Sequence, residues 1–241
     1  MVRKVSRLAL VGFLLVAACR PTSTGLVNQA VAARGGLERL KAIHSARLSG
    51  RISFGSVEGS LAVDFKRPDQ MRIQIVLPTR TVVRLLDGSS GWVSSGASGR
   101  RQFERMSTVE LSRARREADL DGPLVDALAK GVRIEVAGKG AVEGRATDQL
   151  DIVFPDGTVQ RYELDAASHE PVRWAETEPV DGKPREVATT VRATRRVDGV
   201  LFPTTIETGP PGGTPSQRII IEHIELNPAL DDAWFRPPAA G

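Results

Sequence analysis

Leu61-Ala62-Val63-Asp64-Phe65-Lys66-Arg67-Pro68-Asp69-Gln70-Met71-Arg72-Ile73-Gln74-Ile75-Val76-Leu77 decides the fold class. Apolar side chains fall at alternate positions on both sides of Arg67-Pro68-Asp69, in Leu61, Val63 and Phe65 before it and in Met71, Ile73, Ile75 and Leu77 after it. Successive side chains of a β-strand point to opposite faces, so each half reads as a strand with one dry and one wet face. The Pro-Asp step between them supplies the turn of an antiparallel hairpin.

Working outward, the same period of two recurs in Val132, Ile134 and Val136, in Leu150, Ile152 and Phe154, in Val172 and Trp174, in Val187, Thr189 and Val191, and in Ile220, Glu222, Ile224 and Leu226. Asp87-Gly88 and Pro155-Asp156-Gly157 are further turn signals between such runs. The pattern predicts about ten or eleven strands, and a sheet of that size curls or closes. Helical patterning is confined to two places. An N-terminal helix is predicted in two pieces, 26–33 and 37–43, broken at Gly35-Gly36, with Leu37, Leu40 and Ile43 on one face. A mid-chain insert over about 107–130 opens with Ser107 and Glu110 spaced as a capping box, runs to Leu120, and continues as a short helix from Pro123 to Gly131. The predicted architecture is mainly β (α+β): a curved antiparallel sheet forming an incomplete β-barrel, with helices capping its concave face.

The start of the chain carries a different signal. Arg3, Lys4 and Arg7 precede an apolar run over 8–18, shorter than the ~20 residues that span a bilayer, and together they read as a secretory signal. Leu15-Val16-Ala17-Ala18-Cys19 matches a bacterial lipobox, with small residues before the cleavage point and a thiol after it to take the diacylglyceryl group. Cys19 is the only cysteine of the 241 residues, which excludes an intramolecular disulfide. The expected organisation is a cleaved signal over 1–18, a lipidated tether over 19–25, and one domain over 26–241. Arg20, where inner-membrane lipoproteins of enterobacteria commonly carry aspartate, points to an outer membrane facing the periplasm in a Gram-negative host. Loss of 1–18 leaves 30 basic against 29 acidic residues, so the charge gives no support to nucleic-acid binding.

Several strings, in their order along the chain, carry a resemblance. They are Gly35-Gly36-Leu37-Glu38-Arg39-Leu40-Lys41-Ala42-Ile43, Lys66-Arg67-Pro68, Asp87-Gly88 before Gly91-Trp92, Gly122-Pro123-Leu124-Val125-Asp126 and Ala129-Lys130-Gly131. Gly140 to Gly144, Asp156-Gly157, Leu164-Asp165, Gly199 with Phe202-Pro203, and the ending from Asn227 to Phe235 complete the series. Together these resemble the outer-membrane lipoprotein-sorting protein group, the LolA/LolB-like superfamily, over about Val27 to Pro237. The resemblance implies an incomplete antiparallel barrel whose apolar cavity holds acyl chains of lipids or lipoproteins. In that superfamily the receptor is lipid-anchored and the soluble carrier is not, so Cys19 makes the chain similar to the receptor, or to the anchored lipid-carrying envelope lipoproteins of the same fold. The carrier's functional arginine and the receptor's projecting apolar residue are matched by no motif here, and neither is carried over.

Signals for covalent chemistry are weak. His44, His169 and His223 are far apart and lack metal-ligand spacing. Gly55-Ser56, Gly88-Ser89-Ser90-Gly91 and Gly96-Ala97-Ser98-Gly99 lack the strand-to-helix setting of a nucleophile elbow. Asp231 and Asp232 sit in a closing turn packed by Trp234 and Phe235, and Asp119 and Asp121 flank a helix junction. No enzymatic activity, cofactor or metal is expected. Arg113, Arg115 and Arg116 cluster on the insert, either to meet phospholipid headgroups or an acidic partner, or as a solvated face interleaved with Glu110, Glu117 and Asp119.

The expected acyl-chain cavity is lined by Val63, Phe65, Ile73, Ile75, Val83, Leu85, Trp92, Leu124 and Leu128, with the insert over about 108–130 as its lid. The alternation alone fits a filled core equally well. Two functions therefore stay open: an anchored monomer that binds lipid or lipoprotein acyl chains and meets a periplasmic carrier protein, or a non-catalytic envelope module of the same fold that binds or senses a protein partner.

Overall fold

A computed structural model describes residues 22–96, 102–180 and 182–238. The signal segment, Cys19 and most of the expected tether lie outside them. Helix α1 (Ser23–Ala33) is capped by the Thr22 side chain, which accepts from the Gly25 amide at 3.1 Å. Ser23 to Gly25, expected within the tether, belong to this helix. Gly35 and Gly36 take φ values of 125° and 88°, conformations that suit glycine, and turn the chain into the short helix α2 (Leu37–Lys41).

Thirteen strands follow among the described residues: β1 (Ser45–Phe54), β2 (Val57–Lys66), β3 (Gln70–Val76), β4 (Thr81–Asp87), β5 (Ser90–Gly96), β6 (Glu104–Arg105), β7 (Arg133–Val142), β8 (Arg145–Val153), β9 (Val159–Asp165), β10 (Pro171–Val180), β11 (Lys183–Val197), β12 (Val200–Gly209) and β13 (Gln217–Leu226). They form one antiparallel, curved, open sheet in the order β6-β5-β4-β3-β2-β1-β13-β12-β11-β10-β9-β8-β7. Two meanders are joined where β1 pairs with β13. The sheet's two free edges, β6 and β7, are consecutive in the chain, so the segment linking them must cross the gap that a closed barrel would lack. That segment holds helix α3 (Thr108–Ala118). The incomplete barrel is closed by this connection instead of by strand pairing.

Helix α3 begins with the capping box read from the sequence: Ser107 Oγ accepts from the Glu110 amide at 3.3 Å, and Glu110 accepts from the Ser107 amide at 2.8 Å. The expected second helix from Pro123 to Gly131 does not form. Residues 119–131 run as successive turns, with Gly122, Asp126 and Gly131 in positive-φ conformations that interrupt any helical ladder. Strand β12 escaped the alternation because Pro203 lies inside it. Proline is tolerated there because β11 is irregular opposite it, with register shifts on both sides of Ala193.

Register assigns the faces. Val63 pairs with Ile73, Phe65 with Met71 and Leu61 with Ile75, and these share the inner face with Leu48 and Ala46 of β1. Ile73 pairs in turn with Arg84 and Met71 with Leu86. The inner face is covered at one end by α1, whose Leu26 and Ala30 pack on Leu150, Ile152, Phe154 and Leu164. It is covered at the other end by α3, whose Ala114 and Ala118 meet Met71 and Leu86. Gly91 leaves room for that end, since a Cβ there would press on Met106 Sδ and Leu111 Cδ1. On the outer face the C-terminal turn Asp232–Phe235 packs against β3 and β4 with Phe235 fully buried. Trp234 Nε1 donates to Asp64 at 2.7 Å while the Arg72 guanidinium lies over its ring at 4.1 Å.

Candidate functional site

The pairing of Ile73 with Arg84 separates the expected cavity residues into two groups. Val63, Phe65, Ile73 and Ile75 project from the inner face. Val83 and Leu85 flank Arg84, so they point the opposite way, and Trp92, which pairs with Leu85, goes with them. These three belong to the outer face: Val83 and Leu85 are fully buried there, and Trp92 carries the Arg105 guanidinium at 4.7 Å from its ring. The expected inward placement of Val83 and Leu85 is thus corrected: both faces of β4 are apolar, with Leu86 inward and Val83 and Leu85 outward. Leu124 is buried against the inner side, whereas Leu128 is 92% exposed and lines no interior.

The centre of the inner face is a cluster of strand residues alone. Ile52, Leu61, Val63 and Ile221 are buried, and Leu48, Phe65, Ile73, Ile75, Ile219 and Ile224 pack around them. Ile73, Ile75, Ile219 and Ile224 remain half-buried, although a filled core would close over them. Beside this surface, under residues 119–124, lies a cleft of about 170 Å³ lined by Leu120, Leu124, Tyr162, Trp174, Val191 and Leu201 among others. Tyr162 and Trp174 stack within it at 5.9 Å between ring centroids. Burial pushes the Tyr162 phenol far above its ordinary value, so it stays neutral in this apolar setting. The cleft is smaller than the ~300–1,000 Å³ of ordinary ligand pockets. In this conformation the connection forms one wall of it.

Charged groups hold the connection in that position. Asp121, 1% exposed, accepts two bonds from the Arg67 guanidinium at 2.7 and 2.6 Å and one from Lys41 at 3.2 Å. Arg34, at the end of α1, donates to the Asp121 carbonyl, and Arg67 also donates to the Leu40 carbonyl at 3.0 Å. Burial alone would raise the Asp121 pKa, but the bonds from Arg67 and Lys41 outweigh it and hold the carboxyl below its usual range. Further along, Lys130 bridges Asp119, at 2.6 Å, and the Gly122 carbonyl, at 3.0 Å. Burial raises the Asp119 pKa despite this partner. Asp121 thus fastens the connection to α1, α2 and the β2–β3 turn at once.

Helix α3 is fastened differently. Arg84 of β4 meets Glu117 at 2.6 Å on one side. On the other, Arg113 meets Glu178 of β10 at 2.9 Å, and Arg116 meets Asp156 of the β8–β9 turn at 2.5 Å and Glu176 at 3.8 Å. The arginine cluster is therefore neither a free headgroup site nor a plainly solvated face. Arg113 and Arg116 tie the two halves of the open barrel together, and Arg115 reaches the Gly88 carbonyl at 3.4 Å. The sequence showed Arg67 only as part of a turn and Asp121 only as a helix-junction residue. Their pairing across 54 positions has no local signal.

Among the described residues no group of His, Cys, Asp and Glu is placed to hold a metal ion. None of their helices is long and apolar enough to cross a membrane.

No protein-family profile matches the sequence, and no curated protein matches it. The similarity lies in the fold. A DUF1329 family protein from Desulfovibrio piger superposes with a TM-score of 0.60 at 12% identity, covering 90% of this chain and 98% of that one. A LolA superfamily protein from Nitrosomonas europaea gives 0.58 at 13% identity over 90% and 98% of the two chains. A domain from Vibrio parahaemolyticus named for outer membrane lipoprotein sorting gives 0.57 at 10% identity over 88% and 95%. The chain has a LolA/LolB-like fold, an incomplete antiparallel barrel whose open side is bridged by a helix.

Proposed function

We propose that this protein is a non-catalytic envelope lipoprotein that binds acyl chains of a lipid or lipoprotein against the inner face of its sheet, anchored through Cys19 to the outer membrane. The observation that carries this reading is the half-burial of Ile75, Ile219 and Ile224 in a cluster of strand residues that the helices meet at its Leu48, Phe65 and Ile73 edge. Aliphatic surface of this kind attracts acyl chains at roughly 25 cal/mol per Å² removed from water, with no need for directed polar groups. The neighbouring cleft under residues 119–124 is the beginning of a larger cavity that widens when the Asp121 clasp releases. The LolA-like neighbours, one of them named for lipoprotein sorting, support the same reading at the level of fold.

A fluorescent fatty-acyl probe tests it. The protein is expected to take up the probe with an emission shift, and Ile75→Glu, which sets a carboxylate on the inner face, is expected to weaken uptake at least tenfold because the charge must be desolvated on binding. Probe uptake unchanged by Ile75→Glu would overturn the assignment of the site.

A further inference from the structure

We infer that the groove between α1 and residues 124–128 is a membrane-docking surface through which acyl chains pass from the bilayer into the cleft. The inference deepens the proposed function and rests on it. Leu128 is 92% exposed at the tip of a turn and Leu37 is 51% exposed at the start of α2. Between them runs a groove of about 590 Å³ whose floor is Val27, Val31, Leu124, Val132 and Ile134. Large apolar side chains standing this far into solvent around an apolar groove mark an interaction surface.

What meets this surface follows from where the chain leads. Ser23 and Thr24 line the groove, and Cys19 lies four residues before Ser23. At about 3.5 Å per extended residue, the lip of the groove stays within roughly 15 Å of the lipid attachment point. A bilayer holding the acyl chains of Cys19 is therefore the nearest large apolar phase. The acidic group at this rim, Asp126, is paired with Lys41, so approach to lipid does not strand a bare carboxylate. Leu124 lines both the groove and the interior cleft, which makes the seam beside it the shortest apolar path between the two.

The sole cysteine permits a direct test on the chain from residue 19 onward. Its thiol is coupled either to a maleimide phospholipid in phosphatidylethanolamine and phosphatidylglycerol vesicles or to a soluble maleimide, and amide hydrogen exchange is compared. Residues 23–41 and 122–134 are expected to exchange several-fold more slowly on vesicles, with the β3–β4 turn at the opposite end of the sheet unchanged. Leu37→Asp with Leu128→Asp is expected to slow pickup of a fluorescent phospholipid from vesicles at least fivefold while leaving uptake of a dissolved fatty acid intact. Equal exchange on both supports, or protection of these segments by added protein without vesicles, would overturn the docking inference in favour of no partner or of a second protein. Failure to take up the dissolved fatty acid at all would instead overturn the underlying function.

Discussion

Replacing Asp121 by asparagine keeps the side-chain shape and removes the charge on which Arg67, Lys41 and the connection converge. Asparagine offers one acceptor oxygen and must turn its amide toward one of the cations, so donors face donors in a site where the Asp121 side chain is only 2% exposed. Breaking a fully buried ion pair from one side costs about 3–5 kcal/mol. Here the Arg67 side chain is 24% exposed and keeps its bond to the Leu40 carbonyl, which lowers the expected loss to about 2–3 kcal/mol. With a urea dependence of about 2.5 kcal/mol per molar, the unfolding midpoint is expected to fall by roughly 1 M with unchanged slope. Hydrogen exchange should rise in residues 119–131 before the rest of the fold. A double-mutant cycle with Arg67→Met should show a coupling of at least about 1.5 kcal/mol. A loss under about 0.5 kcal/mol, or strict additivity in the cycle, would mean that Asp121 is no clasp and the connection is held by packing alone.

Other outcomes follow from the same geometry. Leu85→Ala, on the buried outer face, is expected to cost about 2–5 kcal/mol in urea unfolding while leaving acyl uptake intact; Ile75→Ala should do the reverse, with little loss of stability and several-fold weaker uptake. Arg113→Gln with Arg116→Gln should cost about 1–2 kcal/mol, with part of the loss reproduced in the parent protein by raising salt from 0.05 to 0.5 M, since Arg113 is the more exposed of the two. For pH, burial raises Asp119 and Glu176, so the folded state takes up their protons before the unfolded state does and these two groups add stability as pH falls from neutrality. Asp121 and Asp156 are held below the ordinary aspartate value of 3.8, so their contribution is present above that value and is lost as pH falls through their lowered values. Thermal unfolding is accordingly expected to show no loss from these groups between pH 7 and about 5 and a steep loss below about 4.

How far the sequence led depended on how local each signal was. The hairpin around Arg67-Pro68-Asp69, the break at Gly35-Gly36 and the capping box at Ser107 and Glu110 are set by neighbours within a few residues, and each takes the form its residues imply. The phase of β4 was not legible, because Leu85 and Leu86 are both fully buried and only pairing with β3 shows which one faces inward. The turns over 119–131 depart from a helix because Asp121 and Asp126 are committed to the distant Arg67 and Lys41 while Lys130 folds back on Asp119 and the Gly122 carbonyl, and those bonds override the helix signals of Pro123 and Gly131. The same long-range bonds make the clasp, which is why its residues stood in the sequence as unconnected charges. Leu128 illustrates the opposite error: an apolar residue in an apolar run, read as interior, yet carried to the surface by the turn at Asp126.

The central claim is that the inner face holds acyl chains. It is tested most directly by native mass spectrometry of the protein exported to a bacterial periplasm with Cys19→Ser, followed by extraction and identification of bound lipid. Acylated species are expected to co-purify at a defined stoichiometry and to be lost in Ile75→Glu. A bare protein that also refuses a fluorescent acyl probe would contradict it and favour a module that binds a protein partner.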